Sequence, residues 1–125
     1  MVQIPQQLKS LKQLRDSKIY TVYELDRRNA AIAEFMNLSM ERHPQQGYKT
    51  YLINGRWYGA RNIPYHKDWN YLLIVIKKIS KMENHPNIWF TIVRLFDIPV
   101  NKSEADPDNI LTVYNAVYNY IKHVS

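Results

Sequence analysis

The chain has 125 residues, of which none is cysteine and only three are glycine. The lack of cysteine excludes disulfides, thiolate nucleophiles and cysteine-ligated zinc, and it favours a reducing compartment. Gly47, Gly55 and Gly59 fit neither the Walker A nor the G-x-G-x-x-G pattern, which excludes a glycine loop of the kind that cradles phosphate. These absences lead us to expect no bound cofactor.

Long hydrophobic runs are also missing. No apolar stretch approaches the ~20 residues needed to cross a bilayer, and the first ten residues lack the charged start and apolar core of a signal peptide. We therefore expect a cytoplasmic protein with no membrane partner. The length is typical of one domain, so we predict a single domain over 1–125 in which the segment 1–25 is uncertain.

Catalytic and metal-binding patterns are equally scarce. The four histidines are His43, His66, His85 and His123, and no two of them have the spacing of metal ligands on one helix or hairpin. No serine lies in a Gly-x-Ser-x-Gly elbow. We predict that the protein has no catalytic residue and no metal site, and that it is not an enzyme.

The positive charge is concentrated in the middle of the chain. Between Arg42 and Lys81 there are eight basic residues and one acid, Asp68, within a chain whose net charge is +6. From Glu83 onward acidic residues are in excess. This asymmetry predicts one electropositive face, which raises the expectation of a polyanionic partner.

The strongest periodicity runs from Tyr65 to Met82 and predicts an amphipathic helix. Its apolar side contains Tyr65, Trp69, Leu72, Leu73, Ile76 and Ile79, and its polar side contains Lys67, Lys77, Lys78 and Lys81. Ile74 points outward among these lysines, where a soluble monomer gains nothing from it. The alternative is that the N-terminal segment covers Ile74.

Two strand-prone runs between Tyr48 and Ala60 are joined by Asn54-Gly55, which suits a type I′ turn. The two-residue loop predicts a register that pairs Ile53 with Arg56, Leu52 with Trp57, and Tyr51 with Tyr58.

The remaining elements are less regular. Leucine spacing predicts a short helix over 6–15, and Thr21-Val-Tyr-Glu24 is a capping box that precedes a helix from about Leu25 to Met36. The alternative for Ile19 to Glu24 is a strand. The apolar, β-branched run from Ile88 to Leu95 predicts a central strand. Asp106-Pro107-Asp108 starts a last helix, predicted over Ile110–His123.

Together these elements predict a small α+β fold, in which an antiparallel sheet of the hairpin and the 88–95 strand has helices packed on one face. We expect its core to contain Phe35, Leu52, Trp69, Leu72, Ile76, Ile92, Val113, Val117 and Ile121.

Three segments carry a family resemblance. They are Ile32-Ala-Glu-Phe-Met36, the helix beginning Tyr65-His66 with Trp69, and the C-terminal Ala116-Val117 followed by Tyr120-Ile121-Lys122. The set resembles small uncharacterised proteins that bacteriophages and prophages of gut bacteria encode, in which a Tyr-His-x-x-Trp helix recurs. The resemblance implies a phage-related origin and a small α+β fold, and it implies no activity.

The aromatic-rich composition favours a protein-interaction role, through a partner or self-association, with Ile74, Tyr118 and Tyr120 as candidate anchors. The alternative is nucleic-acid binding, because the 48–61 hairpin and the lysine side of helix 65–82 interleave cations with aromatic rings. The residues predicted to bind a partner or nucleic acid are Lys49, Arg56, Trp57, Tyr58, Arg61, Lys67, Ile74, Lys77, Lys78 and Lys81.

Overall fold

The computed structural model describes residues 21–98 and 107–124, with the backbone alone for 107–109. The elements within them are α1 (Val22–Phe35), β1 (Met40–Arg42), β2 (Lys49–Ile53), β3 (Arg56–Gly59), α2 (Trp69–Met82), α3 (Ile88–Phe90) and α4 (Pro107–Val124). Turns of 3-10 helix at Ala60–Asn62 and Pro64–His66 join β3 to α2, and a π-helical turn, Thr91–Leu95, continues α3. Helices thus accompany a small antiparallel sheet, which confirms the α+β class.

The sheet has the order β1-β2-β3 with both pairs antiparallel. The predicted hairpin register is confirmed, with Ile53 opposite Arg56, Leu52 opposite Trp57 and Tyr51 opposite Tyr58. Asn54 and Gly55 both have positive φ, 51° and 81°, as a type I′ turn requires. The hairpin is therefore fixed by local chemistry at its turn.

The predicted strand over Ile88–Leu95 is wrong, because this run is helical. Asn87 caps it through its side-chain oxygen, which accepts a hydrogen bond of 2.8 Å from the Phe90 amide. The third strand of the sheet is instead β1, an edge strand that lies one short turn before β2 and pairs Met40 with Tyr51. Local pairing across that turn supplies the third strand, and the 88–95 run, predicted as a central strand, does not enter the sheet.

Two predicted helix starts also shift. The long helix begins at Trp69 and not at Tyr65, because Asp68 caps it by accepting a hydrogen bond from the Asn70 amide at 2.9 Å. The first described helix begins at Val22, and Thr21 accepts from the Glu24 amide as the capping box predicts. The alternative of a strand is thereby excluded for residues 21–24. The predicted helix over 6–15 and the cap at Asp106 lie outside the described residues.

The core forms where α1, α2, α4 and the inner face of the hairpin meet. Six of the predicted core residues are buried there: Leu72, Ile76, Ile92, Val113, Val117 and Ile121. Phe35 and Trp69 are half-buried and pack against this core, whereas the prediction is wrong for Leu52, which is half-buried outside it. Leu52 lies on the outer face because the hairpin turns Tyr51 inward, and Tyr51 is fully buried. No helix among residues 21–98 and 107–124 is long and apolar enough to span a membrane.

Asn29 on α1 is a fully buried polar residue within this core. Its amide nitrogen donates to the carbonyls of Ala60 and Ile63, each at 2.9 Å. Its amide oxygen accepts from the Tyr114 hydroxyl of α4 at 2.6 Å. One side chain therefore links α1 to the turn after the hairpin and to the last helix, with its hydrogen bonds satisfied.

Replacing Tyr114 by phenylalanine is expected to lower the free energy of unfolding by about 1–3 kcal/mol, because the Asn29 oxygen loses its donor while it stays buried. Urea denaturation measures the change. Tyr23→Phe is the matched control, since Tyr23 is exposed and the same hydroxyl is removed there. Equal stabilities for the two variants would contradict the role given to this hydrogen bond.

Candidate binding surface and cavity

Two of the predicted hairpin cations are held in ion pairs with α1. The Lys49 ammonium lies 3.2 Å from the Glu34 carboxylate, which also accepts from the Tyr51 hydroxyl at 3.1 Å. Burial and then Glu34 raise the pKa of Tyr51 to about 12. Arg61 binds Asp26 through its backbone amide and its guanidinium, both at 3.1 Å. These two cations join the hairpin region to α1, which leaves them less available to a phosphate.

The hairpin aromatics divide between the two faces of the sheet. The Tyr58 hydroxyl is hydrogen-bonded to that of Tyr71 on α2 at 3.0 Å. This bond, and then Arg56, lower the pKa of Tyr58. Trp57 lies on the outer face and is 46% exposed. Of the predicted hairpin residues, Arg56 and Trp57 thus present the more accessible groups.

The lysine side of α2 is also divided. Lys78 donates to the carbonyl of Phe35 at the end of α1. The Lys78 ammonium also lies 4.5 Å from the centroid of the Phe35 ring. Lys77 and Lys81 are exposed and form no ion pair within the described part of the chain, and the same is true of Lys67. Ile74 is 56% exposed, as its position among the lysines predicts.

The helical run that replaces the predicted strand presents large apolar side chains. Trp89, Phe90 and Val93 are 36%, 38% and 42% exposed, and their spacing places them on one face of the run. We call these three residues the apolar surface. The Arg94 guanidinium lies 5.7 Å from the Phe90 ring centroid. The opposite face of the run buries Thr91 and Ile92.

A cavity of about 350 Å³ opens between α2 and the start of α3. We call it the α2–α3 cavity, and it is lined by Lys77, Ser80, Lys81, His85, Pro86, Asn87, Ile88 and Trp89. Trp89 forms one wall, and its ring is 6.5 Å from that of Trp69. The Trp69 indole nitrogen is buried and has no hydrogen-bond partner within the described residues. The cavity thus combines cations, an indole and short apolar walls.

Hydroxyl groups and one histidine hold the cavity together. The Ser80 and Thr91 hydroxyls are 2.5 Å apart, and the Thr91 hydroxyl is 2.9 Å from His85 Nδ1. Asn84 has a positive φ of 59°, and the His85 amide donates to the Ser80 carbonyl at 2.8 Å, which ends α2 in a Schellman-type turn. Both hydroxyl side chains are buried, and Thr91 positions the His85 ring through its hydrogen bond.

The sequence does not predict this cavity, because the β-branched composition of 88–95 predicts a strand there. The signal that could have identified it is Asn87, whose type is favoured at a helix start and which precedes the apolar run directly. Among residues 21–98 and 107–124, no three histidines or carboxylates are placed to hold a metal ion.

Two of the predicted anchors on α4 prove to be structural. Tyr118 is buried, and the Arg28 guanidinium lies 4.5 Å from its ring centroid. Tyr120 is half-buried and donates to the carboxylate of Glu83. Tyr118 is therefore too buried to serve as the anchor that the sequence predicts.

No family model, no curated protein and no solved structure matches this chain. The resemblance to phage-encoded proteins therefore stays a prediction.

His66 gives a pH-dependent prediction. Its ring contacts that of Tyr114 at 5.8 Å, and burial, then Lys67, lower the pKa of His66. The unfolded chain therefore binds a proton here at a higher pH than the folded chain does. The contribution of His66 to stability is therefore complete above the pKa of histidine in the unfolded chain, about 6.5. It is lost as the pH falls from there toward the lower pKa of the folded chain.

We accordingly expect the melting temperature to fall as the pH is lowered from about 7.5 to 5.5, and to fall less in the His66→Gln variant. Differential scanning calorimetry measures both slopes. His123→Gln, at an exposed histidine, is the matched control. A slope in His66→Gln as steep as that of the wild type would show that His66 is not the group responsible.

Proposed function

We propose that this protein acts by binding another protein, without catalysis, and that the apolar surface of Trp89, Phe90 and Val93 makes the central contact. The observation that carries the proposal is the exposure of these three side chains on one face of a helical run. Tryptophan is enriched among the residues that dominate binding energy, and large aromatic side chains supply most of the contact area at interface centres. Exposed together, they gain free energy only when a partner covers them.

The rim of this surface is positively charged. Lys77 and Lys81 lie beside Trp89 in the α2–α3 cavity, and Arg94 lies beside Phe90. A partner with an apolar centre and an acidic border fits this arrangement, because complementary rim charges raise the association rate and select the orientation. Ile74 extends the same exposed side of α2 one turn before Lys77 and Lys78.

The proposal includes the compartment and the origin. A chain without cysteine suits the reducing cytoplasm, and the resemblance to phage proteins would make this the cytoplasm of the host cell. The proposal that catalysis is absent is supported by the Ser80 and Thr91 hydroxyls beside His85, which are buried and hydrogen-bonded to each other.

The double variant Phe90→Ser/Val93→Ser is expected to weaken partner binding by at least about tenfold, because two central apolar contacts are lost. The test is affinity capture from extracts of the producing cell, followed by titration of each captured protein, with sedimentation of the purified chain to detect self-association. Tyr23→Ser is the matched control, since it removes a more exposed aromatic side chain on α1. Equal retention of every captured protein by the double variant would refute the proposal.

Nucleic-acid binding is the second candidate. Lys77 and Lys81, which line the cavity with Trp89 and form no ion pair with the residues that the structure describes, favour it. The variant that tests it is Lys77→Glu/Lys81→Glu, which leaves Lys78 in place because that residue supports α1. A complex with labelled single-stranded RNA or DNA should weaken steeply with salt and more in the variant than in the wild type. Absence of binding at low salt would eliminate this candidate.

A further inference from the structure

We propose that the α2–α3 cavity binds a nucleotide, with the base stacked on Trp89 and the phosphate held by Lys77 and Lys81. This inference goes beyond the protein-binding role and does not depend on it, since the apolar surface extends to Phe90 and Val93, which do not line the cavity.

The two lysines supply the phosphate-binding half of the site. Lys77 and Lys81 lie four residues apart, one helical turn, and both line the cavity. Like charges at this spacing repel each other when no anion lies between them. No carboxylate lines the cavity with them, and neither forms an ion pair within residues 21–98 and 107–124. A phosphate would relieve that repulsion and form charge-assisted hydrogen bonds with both ammonium groups.

Trp89 supplies the surface for the base. Its indole is partly exposed at the cavity wall and contacts the Trp69 ring at a centroid distance of 6.5 Å. This contact limits the orientations of Trp89 before a ligand arrives, which lowers the entropic cost of stacking. Aromatic side chains accept every base in this way, because each base has a π-face.

The size and lining of the cavity favour a ligand larger than an inorganic anion. A volume of about 350 Å³ falls within the range of small-molecule sites. Pro86 and Ile88 provide apolar walls that a simple phosphate would leave unused. The side-chain oxygen of Asn87 accepts a hydrogen bond from the Phe90 amide. The side-chain nitrogen of Asn87 has no partner within the described residues, so this nitrogen remains a donor for a base or ribose oxygen.

The turn that forms the cavity is held rigidly. Thr91 Oγ1 lies within hydrogen-bond distance of both Ser80 and His85, and the His85 amide is bonded to the end of α2. The lysines on α2 and the indole on α3 are therefore kept at a set separation. A preformed cavity of this kind binds without reorganising the fold.

The same base-plus-phosphate chemistry could come from a free nucleotide or from one nucleotide of a single strand, and the experiment distinguishes them. Calorimetric titration of the wild type with AMP, GMP, CMP and UMP is compared with titration of the matching pentanucleotides. Comparable affinities would identify a free nucleotide as the ligand, whereas pentanucleotides at least about tenfold tighter would identify a strand. Adenosine and inorganic phosphate, each carrying one half of the ligand, should bind at least about tenfold more weakly than AMP.

Two variants and their controls assign the site. Lys77→Gln/Lys81→Gln and Trp89→Ala should each weaken nucleotide binding by about tenfold or more. Lys122→Gln and Tyr23→Ala remove an exposed lysine on α4 and an exposed aromatic ring on α1, away from the cavity, and should leave nucleotide binding unchanged. Circular dichroism verifies that each variant is folded. If Trp89→Ala is unfolded, Lys77→Gln/Lys81→Gln alone tests whether the cavity binds the nucleotide. Failure of nucleotides and pentanucleotides alike to bind, or equal binding by variant and control, would overturn the proposal without affecting the protein-binding role tested at Phe90 and Val93.

Discussion

The buried amide of Asn29 is the interaction on which the rest of this structure depends. It is fully buried, and its donors and acceptor are all engaged, by the carbonyls of Ala60 and Ile63 and by the Tyr114 hydroxyl. In an interior of low dielectric such bonds are strong and the cost of breaking one is high. Three separate parts of the chain are therefore held in one arrangement: α1, the turn that follows the hairpin, and α4.

That arrangement determines what α2 buries and what it exposes. The turn held by Asn29 leads directly into Pro64–His66 and then into α2. One side of α2 contacts α1 and the hairpin through Lys78 and Tyr71, and the other side meets α3 at Trp69 and Ser80. Between these two contacts Ile74, Lys77 and Lys81 face outward. The charged side of α2 is thus the side that α1, the hairpin and α3 leave uncovered. It adjoins the α2–α3 cavity and the apolar surface.

The sequence predicted the features that local chemistry controls. The Asn54-Gly55 turn fixes the hairpin register, Thr21 caps α1, and the apolar stripe of α4 is buried as its spacing indicates. Prediction from the sequence failed where contacts between distant parts of the chain determine the local structure. The β-branched run from Ile88 favours a strand by propensity, yet the sheet edge is filled by Met40–Arg42 and Asn87 starts a helix instead. For the same reason the sequence does not predict the cavity, although it predicts Lys77 and Lys81 on the cavity wall as binding residues. The ion pairs of Lys49 and Arg61 also depend on α1, which is distant in sequence.

The π-helical turn at Thr91–Leu95 has a consequence for how this chain can evolve. A π-helical turn is equivalent to an α-helix that has gained one residue, and such turns are frequent at functional sites. Because the extra residue is accommodated inside the turn, the segments on either side keep the phase that a regular α-helix would give them. Removing one exposed residue of the turn would therefore convert it to α-helix while Trp89 and Phe90 stay on the exposed side. A polar or smaller residue at Ile92 would disturb the fold more, because that side chain is buried. In this segment the identity of the buried residues is therefore a stricter constraint than the length.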